Sequence, residues 1–170
     1  MELKGLDKID NALNTWLIKY GFTARIAGVQ EDFYWYHDDT ISYSFFFAED
    51  LVEPWANLLN ELKCNFILDT FYSVFLHELG HSCTYDKLSR RDVEYSDDVK
   101  LAIAADPASF DNPRSIYWHL PVEIEATKWA VNFINSYPDR VKELVDTVGA
   151  AVREFYEINE VVDEDSFDFS

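Results

Sequence analysis

Leu3, Leu6, Ile9, Leu13, Trp16, Leu17 and Tyr20 recur at helical spacing, and Gly21 is a natural stop. A helix buries one stripe every three or four residues and ends readily where glycine can turn left-handed. From Phe22 to Gln30 the pattern shortens toward alternation, which predicts a strand. Phe33 to Tyr36 and Ile41 to Phe47 flank the polar turn His37-Asp38-Asp39-Thr40, so these runs predict a hairpin. Pro54 suits a first helical turn, and a short helix is expected from it through Leu62. Asn65 is the expected N-cap of a longer helix carrying Phe66, Ile67, Thr70, Phe71, Val74, Phe75 and Leu79. Lys87 to Glu94 reads as a charged connection, and Ser96 as the cap of a helix with Val99, Leu101, Ile103 and Ala104. Asp106 to Leu120 contains Pro107 and Pro113 and reads as a long loop. Further helices are expected from Pro121 and from Pro138, the latter through about Glu157. Helix, small antiparallel sheet and helical half make an α+β layout. It is expected as one domain over residues 1–158, with an acidic tail, 159–170, for which disorder is favoured.

Composition narrows the partners. A chain of 170 residues supports one sizeable core, and 16% aromatic residues make that core aromatic-rich. The formal net charge of −18 disfavours nucleic acid, because a phosphate backbone needs a basic footprint. It leaves solubility, attraction to a basic protein partner, or imitation of nucleic acid toward a DNA-binding protein. No stretch is long and apolar enough for a membrane span, and Met1-Glu2-Leu3-Lys4 is unlike a signal peptide. The two cysteines, Cys64 and Cys83, make no disulfide framework. A cytoplasmic, reducing location with no membrane partner is therefore expected. Cys83 reads as a buried thiol and not as a metal ligand.

The chemistry lies in His77-Glu78-Leu79-Gly80-His81, an H-E-x-x-H sequence on the expected long helix. Residues four apart on a helix share a face, so both imidazoles point the same way. Two imidazoles with a carboxylate beside the first supply what a zinc hydrolase needs for metal and base. Gly80 sits mid-helix, where it costs about 1 kcal/mol relative to Ala. A close backbone approach is one compensation, and simple tolerance the other.

Two histidines and a water leave one protein ligand to find. Ser82-Cys83-Thr84-Tyr85-Asp86-Lys87 holds neither the Gly nor the third His of a metzincin. Asp86 lies too close to His81 for an easy exit from the helix and return. The better segment is Pro121-Val122-Glu123-Ile124-Glu125-Ala126, followed by Ala130. Ala126 and Ala130 form a small-residue face able to lie against another helix. Glu123, three residues before Ala126, shares that face and is the favoured third ligand, with Glu125 the fallback. Either could instead be a first-turn acid favouring the helix dipole. Tyr117, His119 and Tyr85 are candidate donors to an anionic intermediate. His37, beside Asp38 and Asp39, reads as exposed.

H-E-L-G-H followed by a later E-x-E-A-x-x-aromatic-A resembles the gluzincin metallopeptidases. It is most similar to small ImmA/IrrE-type domains and to phage-encoded or antirestriction-associated ones. The two motifs cover about a fifth of the chain. The resemblance implies a zincin-like fold, a Zn2+ ion held by His77, His81 and a Glu of the Glu123-Ile124-Glu125-Ala126 segment, and bacterial or phage origin. It also implies an edge strand above the metal that pairs with substrate backbone, for which Ile41-Ser42-Tyr43-Ser44-Phe45 is the candidate. The expected activity is hydrolysis of a protein or peptide substrate, with Glu78 as general base and Tyr117 and His119 assisting. The alternative is a zincin fold used as a binding module, its acidic surface engaging a host or regulatory protein.

Overall fold

The computed structural model describes residues 3–159. Among them are seven α-helices and a three-stranded mixed sheet, an α+β arrangement. The helices are α1 (Leu6–Lys19), α2 (Glu49–Glu61), α3 (Thr70–Thr84), α4 (Arg90–Ala105), α5 (Pro113–Trp118), α6 (Pro121–Ser136) and α7 (Pro138–Asn159). The strands are β1 (Arg25–Val29), β2 (Tyr34–Tyr36) and β3 (Thr40–Tyr43). Apart from Asn159, which ends α7, the expected acidic tail lies outside the described residues. No helix among the described residues is long and apolar enough to cross a membrane.

The hairpin forms as the pattern predicts, with β2 antiparallel to β3 across Trp35 and Ile41. The sheet is nevertheless not purely antiparallel. β1 lies on the far side of β3 and runs parallel to it, giving the order β1-β3-β2. This corrects the expected edge strand. β3 is paired on both sides, and Ile41, Ser42 and Tyr43 are buried. The free edge that faces the helical half belongs to β2. Asp39 takes a left-handed conformation at φ 63° in the turn, which Asx residues tolerate.

The core lies between α1, the sheet, α3, α6 and α7. The rings of Phe45, Phe71 and Phe155 stack in its centre. Trp16 packs edge-on against Phe75 and Phe133 and donates its indole N–H to the Arg140 carbonyl at 2.9 Å. Tyr43, fully buried, satisfies its hydroxyl by donating to Asp10 at 2.7 Å.

Four boundaries differ from the sequence reading. α3 begins at Thr70, because Asp69 caps it by accepting from the Phe71 amide at 2.9 Å. Asn65 is not its cap, and Phe66 and Ile67 lie exposed before it. α2 starts at Glu49, with Pro54 inside it. Two acids in the first turn, Glu49 and Asp50, suit the helix dipole there. Ser89, not Ser96, caps α4, accepting from the Asp92 amide at 3.1 Å. The expected loop before Leu120 contains a 3-10 turn, Pro107–Ser109, and the short α5. Asn112 caps α5 and Pro113 occupies its first turn, a pairing suited to a helix start.

Candidate metal centre

α3 and α6 form the most extensive helix packing in the molecule, and Gly80 shows how close they come. A Cβ at Gly80 would lie 2.3 Å from the Ala126 carbonyl oxygen. Hydrogen replaces that methyl, so the backbones approach and the side chains flanking the contact converge. From α3 these are His77 and His81; from α6 it is Glu123, three residues before Ala126. All three are buried, as is Glu78.

The Oε2 atom of Glu123 lies 2.9 Å from His77 Nε2 and 3.2 Å from His81 Nε2. In a tetrahedral site with bonds of about 2.0–2.1 Å, ligand atoms stand about 3.3 Å apart. Glu78 is farther out, at 3.9 Å from His77 Nε2 and 4.0 Å from His81 Nε2. His77, Glu78 and His81 also form a compact set of donor atoms able to hold an ion. Of the two carboxylates, Glu123 is the nearer to both imidazoles. Glu78 has another partner, accepting the Trp35 amide of β2 at 3.0 Å.

Hydrogen bonding sets the state of His77. The Thr127 hydroxyl donates to the Glu123 carbonyl at 3.1 Å and lies 2.9 Å from His77 Nδ1. When that proton goes to the carbonyl, the oxygen accepts from Nδ1–H, which is the tautomer that frees Nε2. In that tautomer neutral His77 presents a bare Nε2 lone pair to the Glu123 carboxylate. Two lone-pair donors face each other, an arrangement that only a proton or a metal cation stabilises. Without a metal, the proton is drawn in. Burial opposes a charged His77, but hydrogen bonding to Glu123 and the charges of Glu78 and Glu123 outweigh it and raise its pKa. Burial likewise opposes an ionised Glu123, yet His77 and His81 hold its carboxyl well below the usual range. The buried donor set therefore fits a dication, and two imidazoles with one carboxylate suit zinc.

Two tryptophans fix the imidazoles. Trp55 of α2 meets His77 edge-on at 5.5 Å, and Trp35 of β2 stacks along His81 at 6.1 Å. Trp55 is itself held by donating to Ser73 at 2.8 Å. Asp39 ties the hairpin to α3, accepting from Trp35 Nε1 at 2.9 Å and Ser82 Oγ at 2.6 Å. Burial would raise its carboxyl, but the hydrogen bonds from Ser82, Thr23 and Trp35 bring it below the ordinary value.

The face carrying His77, His81 and Glu123 opens into a cleft of about 500 Å³, walled by Phe33, Trp35, Phe47, Tyr85, Tyr117 and Trp118 among others. Tyr117 and Tyr85 thus reach the cleft. Burial, together with the charges of Glu123 and Glu78 and a hydrogen bond to the Glu123 carboxylate, raises the Tyr117 phenol far above its ordinary value, so it remains a hydrogen donor. His119 does not line the cleft. It caps α5 from outside, with Nδ1 2.7 Å from the Ser115 carbonyl and Nε2 3.3 Å from Glu61. It therefore stands apart from the cleft that His77, Glu78, His81 and Glu123 line. Glu125 is half-exposed and pairs with Lys128 at 3.5 Å, and Asp86 is exposed. Cys83 is half-buried, and burial pushes its thiol up to about 11. His37, exposed as expected, leans on Trp35 and Tyr85 at the cleft mouth.

Sequence reasoning passed over two groups. Thr127 is one, legible afterwards as the residue one turn beyond Glu123. Lys100 of α4 is the other, its Nζ 2.6 Å from Glu123 Oε1. Nothing in the local sequence marks Lys100, because only the packing of α4 on α6 brings it there. Comparison of the chain with protein-family models, curated proteins and solved structures gives no match.

Proposed function

We propose that this chain is a zinc-dependent metallopeptidase of zincin type, acting on a protein or peptide inside a cell. One observation carries the reading: a carboxylate oxygen of Glu123 lies within 3.2 Å of an imidazole nitrogen of both His77 and His81, in the lining of a cleft, with Glu78 beside them. His77, His81 and Glu123 would hold the ion. When bound, zinc supplies Lewis acidity, polarising a carbonyl and acidifying water. Glu78 accepts the proton of the attacking water and returns it to the leaving amine. The Trp35 amide, donating to Glu78, aims that carboxylate. The phenols of Tyr117 and Tyr85 are the cleft's candidate donors to a developing oxyanion.

The cleft supports an extended substrate. Its apolar walls suit large side chains, and β2 is the free sheet edge beside it. At Trp35 that edge donor is already committed to Glu78, and Tyr34 and Tyr36 turn their backbone groups toward β3, so little of β2 itself is left to pair.

The test combines elemental analysis with a survey of peptide hydrolysis. About one zinc per chain is expected in the parent, and a marked loss in Glu123→Ala. Glu78→Gln should retain zinc and lose hydrolysis. A parent that takes up no zinc, even with added metal, ends the peptidase reading.

A further inference from the structure

Glu123 divides its two oxygens between different partners. Oε2 faces both imidazoles, while Oε1 lies 2.6 Å from Lys100 Nζ. A carboxylate free to rotate can chelate an ion through both oxygens, taking up the open position that a hydrolytic site needs. A carboxylate held by one oxygen cannot. We infer that Lys100 is a positioning residue of the metal centre, holding Glu123 so that it ligates through Oε2 alone. This rests on the metal site proposed above.

The placement of Lys100 is anchored at three points. Ser96, one helical turn earlier on α4, is fully buried. Its hydroxyl donates to the Asp92 carbonyl at 2.8 Å and accepts from the Val122 amide at 3.3 Å. Val122 precedes Glu123, so this bond fixes α4 directly against the first turn of α6. Residues four apart share a helix face, and Lys100 therefore rises from the same face as Ser96. The side chain then crosses the Tyr117 ring, with Nζ 5.0 Å from its centroid, before meeting Oε1. Only about a quarter of the Lys100 side chain is exposed. Outside this contact α4 is a largely solvated helix, with Tyr95 and Leu101 exposed. The face that does pack is the one that delivers Lys100 to the ligand.

The competing role is that of a plain counter-ion. The two predict opposite signs. A lysine cation near a dication repels it, so removing a mere counter-ion leaves zinc affinity unchanged or raises it. Removing a positioning residue lowers it, by about 10–100-fold for a group that orients a ligand.

The experiment is a zinc titration against a chromophoric chelator, using the 170-residue parent, Lys100→Met and Lys100→Arg, with cobalt absorption spectra of each. Lys100→Met should bind zinc about 10–100-fold more weakly. Its cobalt bands should weaken toward a five-coordinate pattern as both Glu123 oxygens engage. Lys100→Arg, which keeps a charged N–H donor, should recover most of the affinity and the four-coordinate spectrum. Should Lys100→Met not fold, Lys100→Leu provides the same readings, since it too lacks both charge and donor. Equal or tighter zinc binding by the uncharged variants, with an unchanged cobalt spectrum, overturns the positioning role alone. A parent that binds no metal overturns this role and the metal site together.

Discussion

Thr127 shows how one hydroxyl decides what a histidine can do. When it donates to the Glu123 carbonyl, its oxygen accepts from His77 Nδ1 and favours the tautomer whose Nε2 is free. Thr127→Val keeps the shape and removes both bonds. Zinc affinity should fall about 10–100-fold, as for other groups that orient a ligand. Far-UV circular dichroism should be nearly unchanged. Unaltered affinity in a chelator titration would show that the tautomer is held elsewhere. Glu123 and Glu125 make a similar point about position. Two steps along α6 turn the side chain by about 200°, from a buried place beside two imidazoles to a half-exposed pair with Lys128.

At the scale of elements, the site depends on how closely α3 and α6 lie. Gly80 permits that distance, and Ala126 supplies the surface it touches. Gly80→Ala improves helix propensity by about 1 kcal/mol, yet its methyl would stand 2.3 Å from a backbone oxygen. Overpacking of this kind costs about 1–3 kcal/mol. The variant should be less stable in urea denaturation, and zinc binding should weaken because Glu123 retreats with α6. A variant at least as stable as the parent, with unaltered zinc affinity, would show that the close approach is incidental. α4 follows the same logic in reverse. Its helical character is readable, but Ser96 serves as a bridge to Val122 inside the helix and not as its cap.

For the whole molecule, charge is the dominant physical fact. Thirty-two acidic residues against 14 basic ones give −18, and self-repulsion of that size opposes compaction. Ion pairs join α1 to α7, through Lys8 with Glu154 and Lys19 with Glu143. They are solvent-exposed, and such pairs contribute little to stability. Screening should therefore relieve more repulsion than attraction. The thermal midpoint of the metal-free protein should rise as sodium chloride increases from about 10 mM to 0.3 M, where the Debye length shrinks from about 30 Å to well under 10 Å. A falling midpoint would show that the surface pairs outweigh the net charge.

Periodicity by itself determined most of the secondary structure, because burying one apolar stripe leaves a local imprint. α1, the β2–β3 hairpin, α6 and α7 are all legible in that way. Local spacing also determined that His77 and His81 share a face, since four residues make about one turn. Capping was harder to read, because Asp69 and Asn65, or Ser89 and Ser96, are equally good caps until the chain direction is known. Tertiary structure alone decided the rest. It placed β1 beside β3 and left β2 as the edge at the cleft. It turned His119 outward, where Ser115 and Glu61 satisfy its ring. It also brought Lys100 onto Glu123 from 23 residues away. Those outcomes depend on contacts between distant segments, whose free energy is spread over a packed interior and has no signature in any short stretch of the chain.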